Sequence, residues 1–219
     1  MRRIAMNIVT IGMICITAFA NAYFQDIDIE TLLNEHPNDV IVLMQAAEYF
    51  IQAASQGDKS AVKKCLGCLE KVLEKEPRNG EAMAYMGSIC TIQAQYASRQ
   101  QNKIELMQKA FAKLDKAVAL YPNNPVIRLT RGTTYTNIPR FFNRLQTAVQ
   151  DFNHVWFIQN KQDMHLPVSY WVLFHFNYGK ALQASGDSKA AVIHFQKVLE
   201  IAPEHRLAEL ARRQIKSGE

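Results

Sequence analysis

Short breaks rich in proline, asparagine and aspartate divide this 219-residue chain, and they constrain its fold more than any other feature. The breaks fall at residues 36–39, 76–79, 121–125 and 202–204. Between them apolar residues recur at the spacing of an amphipathic helix, without the alternation of a strand. Each segment is long enough for two helices and a turn. The sequence therefore predicts an all-α chain of consecutive helical hairpins.

The segments share a pattern of small and large residues. In the last segment, Gly179 lies in the first helix, Ala191 and Phe195 follow at a four-residue spacing in the second helix, and Pro203 closes the unit. This order resembles the tetratricopeptide repeat (TPR) family, whose repeats run W-x2-L-G-x2-Y, A-x3-F and P. Similar but more degenerate copies precede it. The resemblance covers four units, at residues 40–79, 80–124, 125–162 and 163–205.

The resemblance implies a right-handed α-solenoid of about four TPR-like hairpins. Small residues on each first helix should let it approach its partner helix closely, while the outer faces need caps. We expect an N-terminal capping helix within residues 23–39 and a C-terminal capping helix over residues 206–219. The expected close pairs are Ala47 with Cys65, Gly87 with Ala110, Gly132 with Ala148, and Gly179 with Ala191.

Two units depart from the pattern in an informative way. Relative to the distance along the chain from Gly179 to Phe195 in the last unit, the distance from the small residue Gly87 to the large residue Leu114 in the second unit is 11 residues longer. No glycine or proline interrupts this stretch, so we expect both of its helices to be lengthened, with a turn near residues 98–102. The third unit breaks at Pro139, which places residues 140–142 in or beside its turn.

Residues 1–22 have the three parts of a secretory signal peptide. A basic start is followed by an apolar run, and Ala20 and Ala22 give an A-x-A cleavage site. An uncleaved membrane anchor is the alternative, although the run is shorter than the roughly 20 residues that span a bilayer. We expect export to a bacterial periplasm, or secretion, with the mature chain soluble or membrane-associated only through a partner.

The charge balance argues against a nucleic-acid partner. The full chain has a net charge of +5, but its leader contains two arginines and no acidic residue, so the mature chain carries only +3. Such a small excess removes the electrostatic argument for nucleic-acid binding.

Three cysteines remain after cleavage, and two of them form the motif Cys65-Leu66-Gly67-Cys68. A C-x-x-C pair could be a thiol redox centre, but such pairs usually lie at a helix N-terminus, where a thiolate is stabilised. Here the motif lies inside a predicted helix. The alternatives are a disulfide from Cys90 to Cys65 or Cys68, and ordinary buried thiols, which the position inside a helix favours.

An arginine-rich region in the third unit is a candidate binding site. Arg128 and Arg131 share one helix face, and Arg140 and Arg144 follow near the turn. They could form an internal ion pair with Asp151, or they could capture a partner's carboxylate through guanidinium hydrogen bonds. Thr133 and Thr136 would add neutral polar groups.

The fourth unit adds aromatic residues around its whole first helix, so they cannot all face inward. The side that carries Phe176 and Lys180 is our candidate for an exposed binding face, since TPR proteins commonly turn this face toward their concave channel. The remaining aromatic residues are expected in the core.

No catalytic signature and no metal-binding spacing of histidines occurs in the sequence. We therefore expect no enzyme, cofactor or metal site. The sequence favours an exported scaffold that binds a protein or peptide in an envelope-associated complex. A component that captures a small carboxylated ligand for a solute-uptake system is the alternative, followed by a thiol redox protein that uses Cys65 and Cys68.

Overall fold

A computed structural model describes residues 28–161 and 166–218. Within these residues the chain forms ten α-helices and no strand, which confirms the all-α prediction. Eight of the helices pair into four antiparallel hairpins. The first helices of the hairpins are α2 (Val40–Ser55), α4 (Gly80–Tyr96), α6 (Pro125–Thr136) and α8 (Val168–Ser185). The second helices are α3 (Lys59–Lys75), α5 (Gln100–Leu120), α7 (Leu145–Lys161) and α9 (Ser188–Ile201).

A shorter helix lies at each end of the hairpins. Helix α1 (Ile29–Glu35) precedes them, and α10 (Arg206–Gly218) follows them. In α10, Leu207, Ala208 and Ala211 are buried, whereas Arg212 and Arg213 are exposed and pair with Glu209. A helix with one apolar and one charged face is what the end of a stack requires, because only one side has a neighbour.

Aspartate and asparagine at the breaks start the helices. Asp39 Oδ1 accepts hydrogen bonds from the backbone N–H groups of Ile41 and Val42, and Asn124 Oδ1 accepts one from Ile127 at 3.0 Å. These side chains satisfy N–H groups that have no partner within the helix. The punctuation in the sequence therefore corresponds to helix N-caps.

Small residues hold the two helices of the hairpins close together, as the pattern predicts. The atoms nearest to a Cβ added at Gly132 or Gly179, however, belong to the phenylalanines Phe152 and Phe195 and not to the predicted alanines. A Cβ atom added to Gly87 would lie 2.6 Å from Leu114 Cγ, and one added to Gly179 would lie 2.7 Å from Phe195 Cε1. In the first hairpin, where Ala47 replaces glycine, the thiol of Cys65 contacts the Ala47 carbonyl oxygen at 3.5 Å.

The hairpins stack into a solenoid of two helical layers. Each first helix contacts the next one, in the order α2, α4, α6, α8 and α10, while each second helix packs against its own first helix and the following one. The first helices therefore form one continuous layer, and the buried apolar side chains lie between it and the second helices.

The second and third hairpins differ from the last, as the sequence predicts, but only one helix of the second hairpin is longer. Helix α5 has 21 residues against 14 in α9, whereas α4 has 17 against 18 in α8. Helix α5 begins 14 residues before Leu114, whereas α9 begins seven before Phe195, and the turn of the second hairpin spans residues 97–99. In the third hairpin, residues Arg140–Phe142 form a 3-10 helix after Pro139.

Within the described ranges no helix is long and apolar enough to cross a bilayer. The predicted signal peptide and its cleavage site lie outside those ranges.

Candidate partner-binding groove

A groove with a volume of about 380 Å³ lies where the last two hairpins meet the C-terminal helix. The end of α6, the 3-10 helix, α8 and α10 each contribute to it. The residues that line this groove, which we call the C-terminal groove, are Thr136, Arg140, Lys180, Gln183, Ala184 and Gln214.

The C-terminal groove contains two cationic side chains and no acidic one. Lys180 Nζ donates a hydrogen bond to Asn137 Oδ1 at 2.5 Å, and Arg140 Nη1 donates one to the Ala184 carbonyl at 2.7 Å. Both partners are neutral, so neither positive charge is compensated by these contacts. Burial lowers the pKa of Lys180 because it disfavours the charged form. An anionic group in the groove would stabilise the charged lysine.

Three of the predicted site residues meet in this groove: Thr136, Arg140 and Lys180. Thr133 lies one turn before Thr136 on α6 and does not line the groove. Its carbonyl oxygen accepts a hydrogen bond from Asn137 Nδ2 at 2.7 Å.

Phe176 is not an exposed binding residue, and this part of the prediction is wrong. Its side chain is buried and packs at an angle against Phe195, with ring centroids 5.9 Å apart. Leu173, one turn earlier on α8, is the more exposed apolar residue, at 39%. The sequence pattern could not distinguish the two because every side of this helix is apolar or aromatic.

Arg128 and Arg131 form the internal ion pair with Asp151 that the sequence allowed. Asp151 is fully buried, and its carboxylate accepts a hydrogen bond from Arg128 Nη1 at 2.7 Å and two from Arg131, at 2.7 and 2.8 Å. Arg131 also pairs with Asp115, which in turn pairs with Arg144 at 3.4 Å. This network connects α5, α6 and α7, so these arginines hold the hairpins together instead of lining the groove.

The three cysteines in the described part of the chain are free and buried, so no disulfide joins Cys90 to Cys65 or Cys68. Cys65 and Cys68 lie inside α3, six and nine residues after its first residue, Lys59. Burial raises the pKa of all three thiols, because a thiolate would lose its hydration. A protonated, buried thiol is a poor nucleophile, which argues against a redox function.

Sequence reasoning missed a buried histidine pair in the fourth hairpin. His175 Nδ1 lies 2.9 Å from His194 Nδ1, so one ring donates its proton to the other. Trp156 and Phe174 pack around both rings. Burial lowers the pKa of His175 to about 3 and that of His194 to about 4. The pair is neutral in the folded chain, and only the three-dimensional contact reveals it.

Gln183 and Gln214 were also missed as residues of the groove. Gln183 could have been found, because it lies three residues after Lys180 and therefore on the same face of α8. Gln214 comes from the capping helix, and no sequence signal connects it to α8.

Comparison with known proteins identifies a similar fold among solved structures. No family model matches the sequence, and no curated protein matches it. Among solved structures, a thermophilic TPR protein from Thermus thermophilus is 17% identical, with a TM-score of 0.64, over 87% of this chain and 86% of that chain. YrrB, a TPR protein with an unusual peptide-binding site, is also 17% identical, with a TM-score of 0.36, over 85% of this chain and 98% of that chain. The first likeness, together with the stacked hairpins and their small-residue contacts, shows that this chain has the fold of a tetratricopeptide repeat protein.

Proposed function

We propose that this chain is an exported, non-catalytic scaffold that binds an extended segment of a partner protein along its layer of first helices. The observation that carries the proposal is the C-terminal groove, in which Lys180 and Arg140 lie together without an acidic neighbour in the lining. Positive charges without a compensating carboxylate are suited to an anionic group from outside the chain.

The continuous layer of first helices supports a peptide or protein as the ligand. The C-terminal groove is open and lies at the end of that layer, so a bound segment can continue along α6 and α4. The signal-peptide pattern of residues 1–22 supports export, and an exported chain of this kind would bind its partner in an envelope-associated complex.

A selection from a random peptide library tests the proposal. Twelve-residue peptides displayed in vitro are selected on the purified chain, and the enriched peptides are titrated by fluorescence anisotropy. We expect the double variant Arg140→Gln/Lys180→Gln to weaken binding about tenfold or more. The matched control is Lys116→Gln/Lys189→Gln, which removes two exposed lysines from the second helices α5 and α9.

The control double variant should bind as the wild type does. Failure to enrich any peptide would overturn the proposal. It would also be overturned if both double variants bound the enriched peptides with the wild-type affinity.

A small carboxylated ligand is the second candidate, and the volume of the groove favours it. About 380 Å³ lies within the range of small-molecule sites. A thermal-shift screen with mono- and dicarboxylic acids separates the two candidates. A rise in melting temperature that Lys180→Gln abolishes supports the small ligand, and no rise with any acid would exclude it.

A further inference from the structure

One residue of each first helix occupies the same place in the repeat. It directly follows the small residue that contacts the second helix, and in all four hairpins it is half-buried. In the fourth hairpin this residue is Lys180, which lines the C-terminal groove. Because the first helices form one layer, the equivalent residues form a row across that layer from α2 to α8. In chain order they are Glu48, Ser88, Thr133 and Lys180.

This row changes charge from one end to the other. It begins with a carboxylate, passes through two hydroxyl groups and ends with an ammonium group. Arg140 adds a second positive charge at the α8 end. Glu81, on the adjoining helix α4, adds a second negative charge at the α2 end, close enough to Glu48 to affect its ionisation.

The two carboxylates at the α2 end have neutral partners. Glu48 Oε1 accepts a hydrogen bond from the Tyr85 hydroxyl at 2.5 Å, and Glu81 Oε1 accepts one from Asn124 Nδ2 at 3.1 Å. Neither forms an ion pair with any described residue. Burial raises the pKa of Glu81, and burial with the nearby Glu81 charge raises that of Glu48 to about 7. A cationic group from outside the chain would stabilise both ionised carboxylates.

We propose that the layer of first helices is a bipolar binding surface, and that its occupant is an extended partner segment carrying a basic side chain at the Glu48 and Glu81 end and a carboxylate at the Lys180 and Arg140 end. The argument is charge complementarity at both ends of one continuous surface. This inference rests on the proposed function and adds the chemistry and the orientation of the partner segment.

The geometry of the stack also fixes the spacing of the two charges. Three helix-to-helix steps separate α2 from α8, and packed helices lie 8–10 Å apart, so the two ends are roughly 24–30 Å apart. An extended segment advances about 3.3 Å per residue. The basic and acidic side chains of the partner should therefore be about eight residues apart.

The peptide selection described above tests this inference when it is repeated on single-charge variants. Glu48→Gln keeps an acceptor for the Tyr85 hydroxyl but removes the negative charge, and Lys180→Gln removes the positive one. Glu74→Gln and Lys116→Gln make the same charge changes at exposed positions of the second helices α3 and α5. Circular dichroism confirms that each variant is folded before it is used.

Peptides selected on the wild type should be enriched in a basic and an acidic residue about eight positions apart. The basic residue should lose its enrichment on Glu48→Gln, and the acidic residue should lose it on Lys180→Gln. Replacing either charged residue of an enriched peptide should weaken its binding about tenfold. The two control variants should select the same peptides as the wild type.

The possible failures are distinguishable. If peptides are enriched and depend on Lys180 and Arg140, but show no basic residue that depends on Glu48, the bipolar surface is refuted while the proposed function stands. If no peptide is enriched on any form of the chain, both proposals fall.

Discussion

Replacing Gly87 by alanine tests the close contact between α4 and α5 that defines the fold. The added Cβ atom would lie 2.6 Å from Leu114 Cγ and 2.9 Å from the Ala110 carbonyl oxygen. Both of these residues are fully buried. Because one obstructing atom belongs to the backbone, a change of side-chain rotamer cannot relieve the overlap, and the two helices must move apart.

The expected change in the free energy of unfolding is the difference between two opposing effects. Alanine is more favourable than glycine inside a helix by about 0.8–1 kcal/mol. Overpacking a core costs about 1–3 kcal/mol, and obstruction by backbone places this site at the upper end of that range. We therefore expect Gly87→Ala to lower the free energy of unfolding by about 2 kcal/mol.

Gly67 provides a matched control inside another helix, α3. No atom lies within 4 Å of a Cβ added there, so only the gain in helix propensity remains. Gly67→Ala should raise the free energy of unfolding by about 1 kcal/mol. Urea unfolding followed by circular dichroism measures both variants. A Gly87→Ala variant as stable as Gly67→Ala would refute the close-packing argument.

Three further predictions follow from buried polar groups. Asp151→Asn should lower the free energy of unfolding in urea by about 3–5 kcal/mol, because it leaves two guanidinium groups without their shared carboxylate. Asp115 lies at a more exposed site, so an equal loss of stability in Asp115→Asn would contradict this prediction. The histidine pair, His175 and His194, should stay neutral in NMR titrations down to pH 5. Since both pKa values lie below the unfolded value of about 6.5, the stability that this pair contributes is complete above pH 6.5. At pH 5 the free energy of unfolding is lower by about 2 kcal/mol per histidine, because the unfolded chain binds protons that the folded chain does not. A titration midpoint near about 6.5 for either histidine would contradict the prediction. The buried cysteines should resist thiol reagents until urea is added, so labelling of all three under native conditions would show that the helices open readily.

The repeat pattern made most of the fold predictable. A capping residue such as Asn124 acts on residues close in sequence, and a glycine such as Gly179 contacts one paired helix. The spacing of such residues in the sequence is therefore enough to predict their roles. The longer second hairpin was predictable for the same reason, because a count of residues without a helix breaker sets the helix length.

The site was less predictable, because it depends on contacts between repeats. Arg128 and Lys180 are both basic residues on first helices. Asp151 compensates the charge of Arg128, whereas Lys180 lines an open groove. The prediction for Phe176 failed because a helix that is apolar on all sides gives no preferred direction. The contact between Glu48 and Tyr85 joins residues 37 positions apart, and no local pattern indicates it.

Photo-crosslinking tests the central claim, that a partner segment binds along the layer of first helices. An enriched peptide carrying one benzophenone group is irradiated with the purified chain, and the attached residues are identified by mass spectrometry. We predict attachment on the first helices α2, α4, α6 and α8, moving toward α8 as the benzophenone group is placed nearer to the peptide's acidic residue. Attachment mainly on the second helices α3, α5, α7 and α9 would contradict the claim.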